Sequence, residues 1–467
     1  MTETKKFDVV VIGAGPGGYV AAIKAAQNRK KVALIEKGLL GGTCLNVGCI
    51  PTKTLIANAE VMHKIQHAAD FGITTGPISF DFGKMKQRKD SVLEKMRKSL
   101  GGLIQSNGIE VIKGVAEFTG PKELKVKGDA SCLVQADAII IATGSEPLEI
   151  GAFPCDHKVV FNSTSILELT ELPKTLAIIG GGYIGCEFAS LYAALGVKVT
   201  ILEALPSIVS LQGKTVSDAL TAAFKKQGID IRTGVVVEGI DKTAAGASVR
   251  LKGLPAFECD KVLVAVGRKI VSAGLGLEKA GVQVGEKGAI VVNDRMETNV
   301  PGIYAIGDVT GKFLLAHVAS HQGVVAAANA TGQEGTMHYD AVPAVIFTMP
   351  EVATVGKTLE EALAAGMAAK TGRFPFMALG KAVASMESDG FAEVVIDQKT
   401  GAILGAQVIG HDAASLIAEM ALAIANELTV DCVAETIHAH PTLPEAWLEA
   451  SLLAVDTPIH FPPKIKR

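Results

Sequence analysis

Two stretches of this chain repeat one another element for element. Phe7–Ile12 is a strand-like apolar run that enters Gly13-Ala-Gly-Pro-Gly-Gly18; a helical stretch follows over Tyr19–Asn28, and a second run, Val32–Ile35, ends on Glu36. The same order recurs as Thr175–Ile179, Gly180-Gly-Gly-Tyr-Ile-Gly185, a helix over Glu187–Leu195, and Val197–Leu202 ending on Glu203. The interval from Gly13 to Glu36 equals that from Gly180 to Glu203. In each copy the glycines (Gly13, Gly15 and Gly18; Gly180, Gly182 and Gly185) permit a tight turn, close approach of backbone to a pyrophosphate, and close helix packing. The helix N-terminus then offers N–H donors and a positive dipole end to phosphate. A carboxylate at the end of the second strand accepts hydrogen bonds from a ribose hydroxyl. Two Rossmann-like βαβ units are therefore expected. Glu203 would repel a 2′-phosphate, and Ala204-Leu205-Pro206 offers no arginine to bind one, so the second unit should take NAD rather than NADP.

A chain of 467 residues is too long for one core and should divide into several domains. Its 48% hydrophobic content, with 50 glycines and only 5% aromatics, suits buried parallel strands. With 45 basic and 48 acidic residues, no field favours nucleic acid or an anionic membrane. Met1–Lys6 carries no apolar signal core, and the apolar helix near Ala413–Ala425 is interrupted by Glu419 and is too short to span a bilayer. A cytoplasmic protein with no nucleic-acid or membrane partner is expected.

Cys44 and Cys49 stand inside Gly41-Gly-Thr-Cys-Leu-Asn-Val-Gly-Cys-Ile-Pro-Thr-Lys53, shortly after the first glycine turn. They can pair if the chain turns within one loop or helix start, which would put a two-electron sulfur couple beside a bound dinucleotide. The other cysteines (Cys132, Cys155, Cys186, Cys259, Cys432) are scattered and read as buried or half-buried thiols. Ala138–Gly144, containing Thr143, and Lys261–Gly267 read as strands closing the two nucleotide units. Thr298–Asp308 places Asp308 at the carboxyl end of another strand, either to hold a ligand hydroxyl or to cap the next helix. From about Met337 the pattern changes to strands at Ala344–Phe347, Ala392–Ile396 and Ala402–Ile409, with helices near Leu359–Ala365 and Ala413–Leu428. This region carries His438-Ala-His440-Pro-Thr-Leu-Pro-Glu445. That run reads as an acid–base dyad of His440 and Glu445, as a plain surface turn, or as a metal site from His438 and His440.

Taken together, the cysteine segment, both glycine turns, Tyr304-Ala-Ile-Gly-Asp308 and the histidine run resemble the flavin-dependent pyridine nucleotide–disulfide oxidoreductases over essentially the whole chain. The resemblance implies an α/β fold of two Rossmann-like domains, for FAD and NAD, and a C-terminal α+β dimerisation domain. The implied boundaries are 1–147 for the first part of the FAD domain, 148–268 for the NAD domain, 269–337 for the segment completing the FAD domain and 338–467 for the interface domain. It further implies that Gly13, Gly15, Gly18, Glu36, Lys53, Thr143, Gly144 and Asp308 hold FAD, and that Gly180, Gly182, Gly185, Glu187, Glu203 and Gly267 hold NAD, with Glu187 also pairing with Lys53. Cys49 is implied to face the flavin and Cys44 the substrate, while His440 and Glu445 act from the other subunit of a homodimer. The implied reaction is oxidation by NAD+ of dihydrolipoyl groups carried on acyltransferases or lipoyl carrier proteins, at the core of a 2-oxoacid dehydrogenase complex.

Two departures from the family pattern stand out: Pro444 precedes Glu445 where a small polar residue is expected, and Thr52 replaces a common serine. A glutathione-reductase-like enzyme is the nearest alternative, but it would carry arginines after the second acid. Mercuric reductase would carry C-terminal cysteines, and a soluble transhydrogenase would usually lack the complete cysteine pair. A purely structural subunit or lipoyl-binding module is the alternative of another class.

Overall fold

Parallel pairing brings the carboxyl ends of the strands before each glycine turn into line. In the computed structural model, which describes residues 4–128 and 131–462, the strand Thr4–Ile12 lies between Val32–Glu36 and Cys132–Ile141, with Ile12 opposite both Ile35 and Ile141. The first residues of the chain and the unplaced tail from Pro463 onward lie outside the described residues. Ile303–Ala305 adds to the far side of Cys132–Ile141, and an antiparallel pair, Val115–Gly120 and Glu123–Lys127, extends the seven-stranded sheet. The central strands are buried on both faces, so Val9–Ile12, Ala33–Ile35 and Ile139–Ile141 read as unbroken apolar runs rather than alternating ones.

A second, all-parallel sheet repeats this plan. Thr175–Ile179 lies between Lys198–Glu203 and Lys261–Val264, with Asp230–Thr233 and Val160–Asn162 at the edges. A three-stranded antiparallel sheet, Val237–Thr243, Gly246–Leu251 and Leu254–Cys259, packs beside it through Val249 and Leu251. The two nucleotide units are joined by a short antiparallel ribbon in which Ser145–Pro147 pairs with Arg268–Ile270. The last region is a five-stranded antiparallel sheet covered by helices Ala413–Ala425 and Glu445–Ala454.

The expected α/β architecture with a C-terminal α+β region is the one found, with shifted element ends. The helices after the glycine turns run over Pro16–Gln27 and Tyr183–Ala194, starting earlier than their apolar periodicity suggests. Gly15 and Gly182 are the extended N-cap residues, and Pro16 occupies a first-turn position where no amide is needed. The strand leading to Thr143 and Gly144 begins at Cys132, not Ala138. Cys432 is exposed, contrary to expectation, because the short helix Val430–Glu435 turns Val430 and Val433 inward and leaves Cys432 on its outer side. The sequence reading also passed over the 25-residue helix Phe82–Ser106 and strands Glu351–Gly356 and Ala369–Pro375.

Helix Ala316–Ala330 seats on helix Pro16–Gln27 through two glycines. A Cβ on Gly17 would come within 2.8 Å of the Ala319 carbonyl oxygen, and one on Gly323 within 2.5 Å of the Gly17 carbonyl oxygen. Both obstacles are backbone, so neither helix can yield without moving as a whole. Gly323→Ala should therefore destabilise by about 1–3 kcal/mol, the usual cost of overpacking. Gly380→Ala, whose added methyl meets nothing within 4 Å, should leave the melting temperature unchanged. Thermal melts of both variants check this contrast.

Candidate active site

Both glycine turns open onto one cleft of about 1690 Å³. That exceeds the ~300–1,000 Å³ of a single small-molecule pocket and suits two extended dinucleotides. At Gly182 a Cβ would meet no protein atom within 4 Å, and at Gly15 only the Gly42 Cα at 4.0 Å, so side chains there would project into the cleft. Gly18 and Gly185 differ: a Cβ on either would overlap the carbonyl oxygen of Gly13 or Gly180, at 1.8 and 2.0 Å. The outer glycines thus hold helix against turn, and the middle ones keep the helix N-terminus clear for a phosphate. The residues present fit FAD at the first turn and NAD at the second.

The two strand-end acids make matching contacts. Glu36 accepts from the Ala14 and Gly38 N–H groups, both at 2.7 Å, and Glu203 accepts from Gly181 at 2.5 Å and Leu205 at 2.7 Å. Each carboxylate thereby ties its strand end to its glycine turn and keeps lone pairs for a ribose hydroxyl. Gly13 and Gly180 take φ of +101° and +107°, and a Cβ on either would strike a backbone carbonyl across the sheet. Thr143 donates to the Val271 carbonyl at 2.5 Å, while Gly144 and Gly267 turn with φ of +69° and +126° at the ends of the ribbon joining the two units. All three line the cleft.

Asp308 lies in a short 3₁₀ turn after Ile303–Ala305. Its carboxylate accepts from the Ser145 hydroxyl and faces Arg268, whose Nε and Nη2 donate to the Ser145 Oγ and carbonyl at 2.7 and 2.8 Å. Burial raises the Asp308 pKa, while Ser145 and Arg268 oppose that rise. Ser145 and Arg268 were missed in the sequence. Their strands pair, but the sequence carries no signal of which side chains meet.

The cysteines straddle a junction between two helices. Cys44 sits in Gly42–Val47, and Cys49 is the first residue of Cys49–Gln66. Both are free thiols in this structure. Cys49 is drawn down to about 7, first by the hydrogen bond from Cys44 and then by Lys53, against the opposing effect of burial. Its position at a helix N-terminus acts in the same direction. Cys44 is pushed up by that same hydrogen bond and by burial, so Cys49 is the sulfur that ionises first. Lys53 follows four residues on, one turn along the same helix face. Its Nζ donates to both Glu187 oxygens at 2.7 Å. Thr52 donates its hydroxyl to the Gly48 carbonyl at 2.7 Å, the bond a serine there would also make.

His440 Nδ1 lies 2.8 Å from Glu445 Oε1, and Thr442 N–H donates to Glu445 Oε2 at 2.7 Å. Burial pushes the Glu445 pKa up, but the Thr442 and His440 bonds outweigh it and hold the carboxyl below its ordinary value. An ionised carboxylate only accepts, so Nδ1 carries the ring proton and Nε2 is left to accept one. Pro444 is the N-cap of helix Glu445–Ala454, where its missing amide costs nothing. His438 does not share a ligand position with His440. It faces a glutamate of its own, with Nε2 2.9 Å from Glu419 Oε1. Neither His440 nor Glu445 lines the cleft that holds the cysteines, and the His440 side chain is 76% exposed. The chain therefore brings the sulfur pair, Lys53, Glu187 and both glycine turns together and leaves the dyad on an outer face.

Because the Cys49 pKa is lowered to about 7, its thiolate should predominate above that pH and be lost below it. Ultraviolet thiolate absorbance of the reduced protein, with Cys49→Ser as the blank, should show one midpoint near neutrality. A midpoint in the ordinary thiol range would contradict the assignment.

Two family profiles match the chain: pyridine nucleotide-disulphide oxidoreductase over residues 7–323, and the dimerisation domain of the same family over residues 342–451. Among curated relatives, dihydrolipoyl dehydrogenase of Chlamydia pneumoniae is 52% identical over 461 residues, covering 99% of this chain and 100% of that one. The enzyme of the same name from Geobacillus stearothermophilus is 41% identical, covering 97% of each. Among solved structures, LpdA of Mycobacterium tuberculosis superposes with a TM-score of 0.91 at 27% identity, over 96% of this chain and 99% of that one. The HOCl-induced flavoprotein disulfide reductase RclA of Escherichia coli, as its Cu(II) complex, gives 0.87 at 31% identity, over 96% and 99%. With both profiles and the full-length relatives in agreement with the cleft, the chain belongs to the pyridine nucleotide-disulphide oxidoreductase family.

Proposed function

We propose that the chain is a dihydrolipoyl dehydrogenase, which oxidises protein-bound dihydrolipoyl groups to the cyclic disulfide and reduces NAD+. The observation that carries this reading is the Cys44–Cys49 pair, with Lys53 one turn along the helix that Cys49 begins, in one cleft with two dinucleotide turns. FAD at the first turn supplies a two-electron carrier between sulfur and nicotinamide. Gly13, Gly15, Gly18, Glu36, Thr143, Gly144 and Asp308 are assigned to hold it; Gly180, Gly182, Gly185, Glu187, Glu203 and Gly267 are assigned to the NAD side. The boundaries at 147, 268 and 337 belong to the same proposal and are supported by sheet membership, since Ile303–Ala305 returns to the first sheet.

In the sulfur chemistry, His440 takes a proton from one thiol of the substrate, and the resulting thiolate attacks Cys44 of the oxidised pair. The Cys44–Cys49 bond breaks, a mixed disulfide forms, and Cys49 leaves as the thiolate that Lys53 stabilises. The second substrate thiol then attacks the substrate sulfur of the mixed disulfide, closing the ring; Cys44 leaves and takes up the proton that this second thiol gives up. The dithiol loses two electrons and the cysteines gain them. Because His440 is exposed and away from the cleft, it serves the cysteines of a second copy, which makes the working unit a homodimer. The match to a dimerisation domain supports this. Lipoyl carriers at the core of a 2-oxoacid dehydrogenase complex, and a cytoplasmic setting, complete the proposal. No helix among the described residues is long and apolar enough to cross a membrane.

A glutathione-reductase-like activity is disfavoured by Glu203, whose carboxylate stands at the second turn with no arginine in the segment that follows. FAD-loaded protein should accordingly oxidise dihydrolipoamide with NAD+ in preference to NADP+. Replacing Glu203 with Gln and Leu205 with Arg should move that preference toward NADP+. Equal use of both nucleotides by the parent chain would contradict the carboxylate argument, and failure to oxidise dihydrolipoamide would sink the reading.

General acid–base help is worth about 10²–10⁴ in rate. His440→Gln should slow dihydrolipoamide oxidation by at least the lower figure. NADH reduction of small artificial acceptors should survive, since that route bypasses the thiols. Steady-state assays of both reactions on one preparation separate the two effects.

A further inference from the structure

Lys53 is held on more than one side. Its Nζ donates to both Glu187 oxygens and stands 4.5 Å from the centroid of the Phe347 ring. Phe347 in turn donates its backbone N–H to Glu187 Oε1 at 3.0 Å. Two residues further on, the Met349 N–H donates to Ser190 Oγ at 2.9 Å. Glu187 and Ser190 lie three apart on helix Tyr183–Ala194, so they share a face, and both are buried, at 5% and 1% exposure. The loop after strand Ala344–Ile346 is thus pinned to that helix at two points, which fixes where the Phe347 ring sits.

Three separate elements meet at this point. Lys53 comes from the cysteine helix, Glu187 from the helix after the second glycine turn, and Phe347 from the edge of the C-terminal sheet. The Lys53 side chain remains 30% exposed, so its flexible stem has water within reach. A carboxylate on one side leaves an ammonium free to swing, whereas a carboxylate and an aromatic face together restrict it. We propose that Phe347 is a positioning residue for the sulfur chemistry, its ring confining the Lys53 ammonium against Glu187 and on the Cys49 side of the cleft. The inference rests on the reading of Cys49 as the thiolate that Lys53 stabilises. Ring packing alone would make Phe347 only a space filler, and that role makes no demand on Lys53.

The test is the pH midpoint of the Cys49 thiolate in reduced protein, measured for Phe347→Leu and Phe347→Tyr with Lys53 present, and for Phe347→Leu in a Lys53→Met background. Methionine keeps the apolar stem and removes the charge. Phe347→Met serves as a second non-aromatic variant should leucine impair folding, and thermal melts establish that each protein is folded. With Lys53 present, losing the ring should lower the thiolate-to-thiol ratio at pH 7 by about threefold, the scale of an exposed cation–π contact. Tyrosine should retain the parent midpoint. In the Lys53→Met background, already shifted upward, Phe347→Leu should add nothing. If Lys53→Met raises the midpoint while Phe347→Leu leaves it alone, the inference falls and the reading of Lys53 stands. If Phe347→Leu shifts both backgrounds equally, the ring acts as filler and the inference is overturned. If Lys53→Met itself has no effect, the reading and the inference fall together.

Discussion

The contact on which the rest of this structure depends is the seating of Gly42 on Gly15. A Cβ on Gly42, at φ +57°, would come within 2.6 Å of the Gly15 Cα, and the neighbouring Gly41 N–H donates to the Ala14 carbonyl at 2.8 Å. The loop that carries the cysteines is therefore laid directly on the nucleotide turn. No side chain intervenes, and the helix that begins at Gly42 can only enter the cleft. Cys44 and Cys49 reach the dinucleotide groove because two backbones touch there. A sulfur couple on any longer tether would sacrifice the fixed geometry that electron exchange requires.

From that contact the electrostatics follow. Cys49 begins a helix, Lys53 lies one turn along it, and Glu187 from the second nucleotide unit holds Lys53 in place. The charge that stabilises the thiolate is thus shared between both halves of the enzyme. Burial opposes ionisation at both sulfurs, yet the hydrogen bond within the pair divides the outcome: one sulfur keeps its proton and the other releases it. That asymmetry suits a pair in which one member meets substrate and the other passes electrons on.

Much of this was legible in the sequence because glycine spacing is a backbone property. Gly13 and Gly180 need positive φ, and Gly18 and Gly185 need the absence of a Cβ, so the two turns are written in residue identity alone. Buried parallel strands were legible as apolar runs. Strands Glu351–Gly356 and Ala369–Pro375 were not, since their burial alternates irregularly and Gly372 interrupts the second to let the Ala450 carbonyl approach. Ser145, Arg268 and Phe347 were missed for a different reason. Each acts through a partner more than a hundred residues away, and nothing local marks such a pairing.

The dyad is the other case where the local sequence sufficed for chemistry but not for place. His440 and Glu445 lie close in the chain, and helix Glu445–Ala454 is tied to helix Ala413–Ala425 by Trp447, whose Nε1 donates to the Leu416 carbonyl at 3.0 Å. The chain thus presents the His440–Glu445 pair on an outer face and the two cysteines in a cleft that neither His440 nor Glu445 lines. The proposed function completes the site across a two-fold axis, since an isologous interface would give each cleft one base. The most direct measurement mixes His440→Gln chains, expected to be slow alone, with Cys44→Ser chains, expected to be inactive alone, and follows dihydrolipoamide oxidation after subunit exchange. About one working site per mixed dimer should return, formed by an intact histidine opposite an intact cysteine pair. Dimers shown to be mixed that recover no turnover would mean that each chain builds its own site.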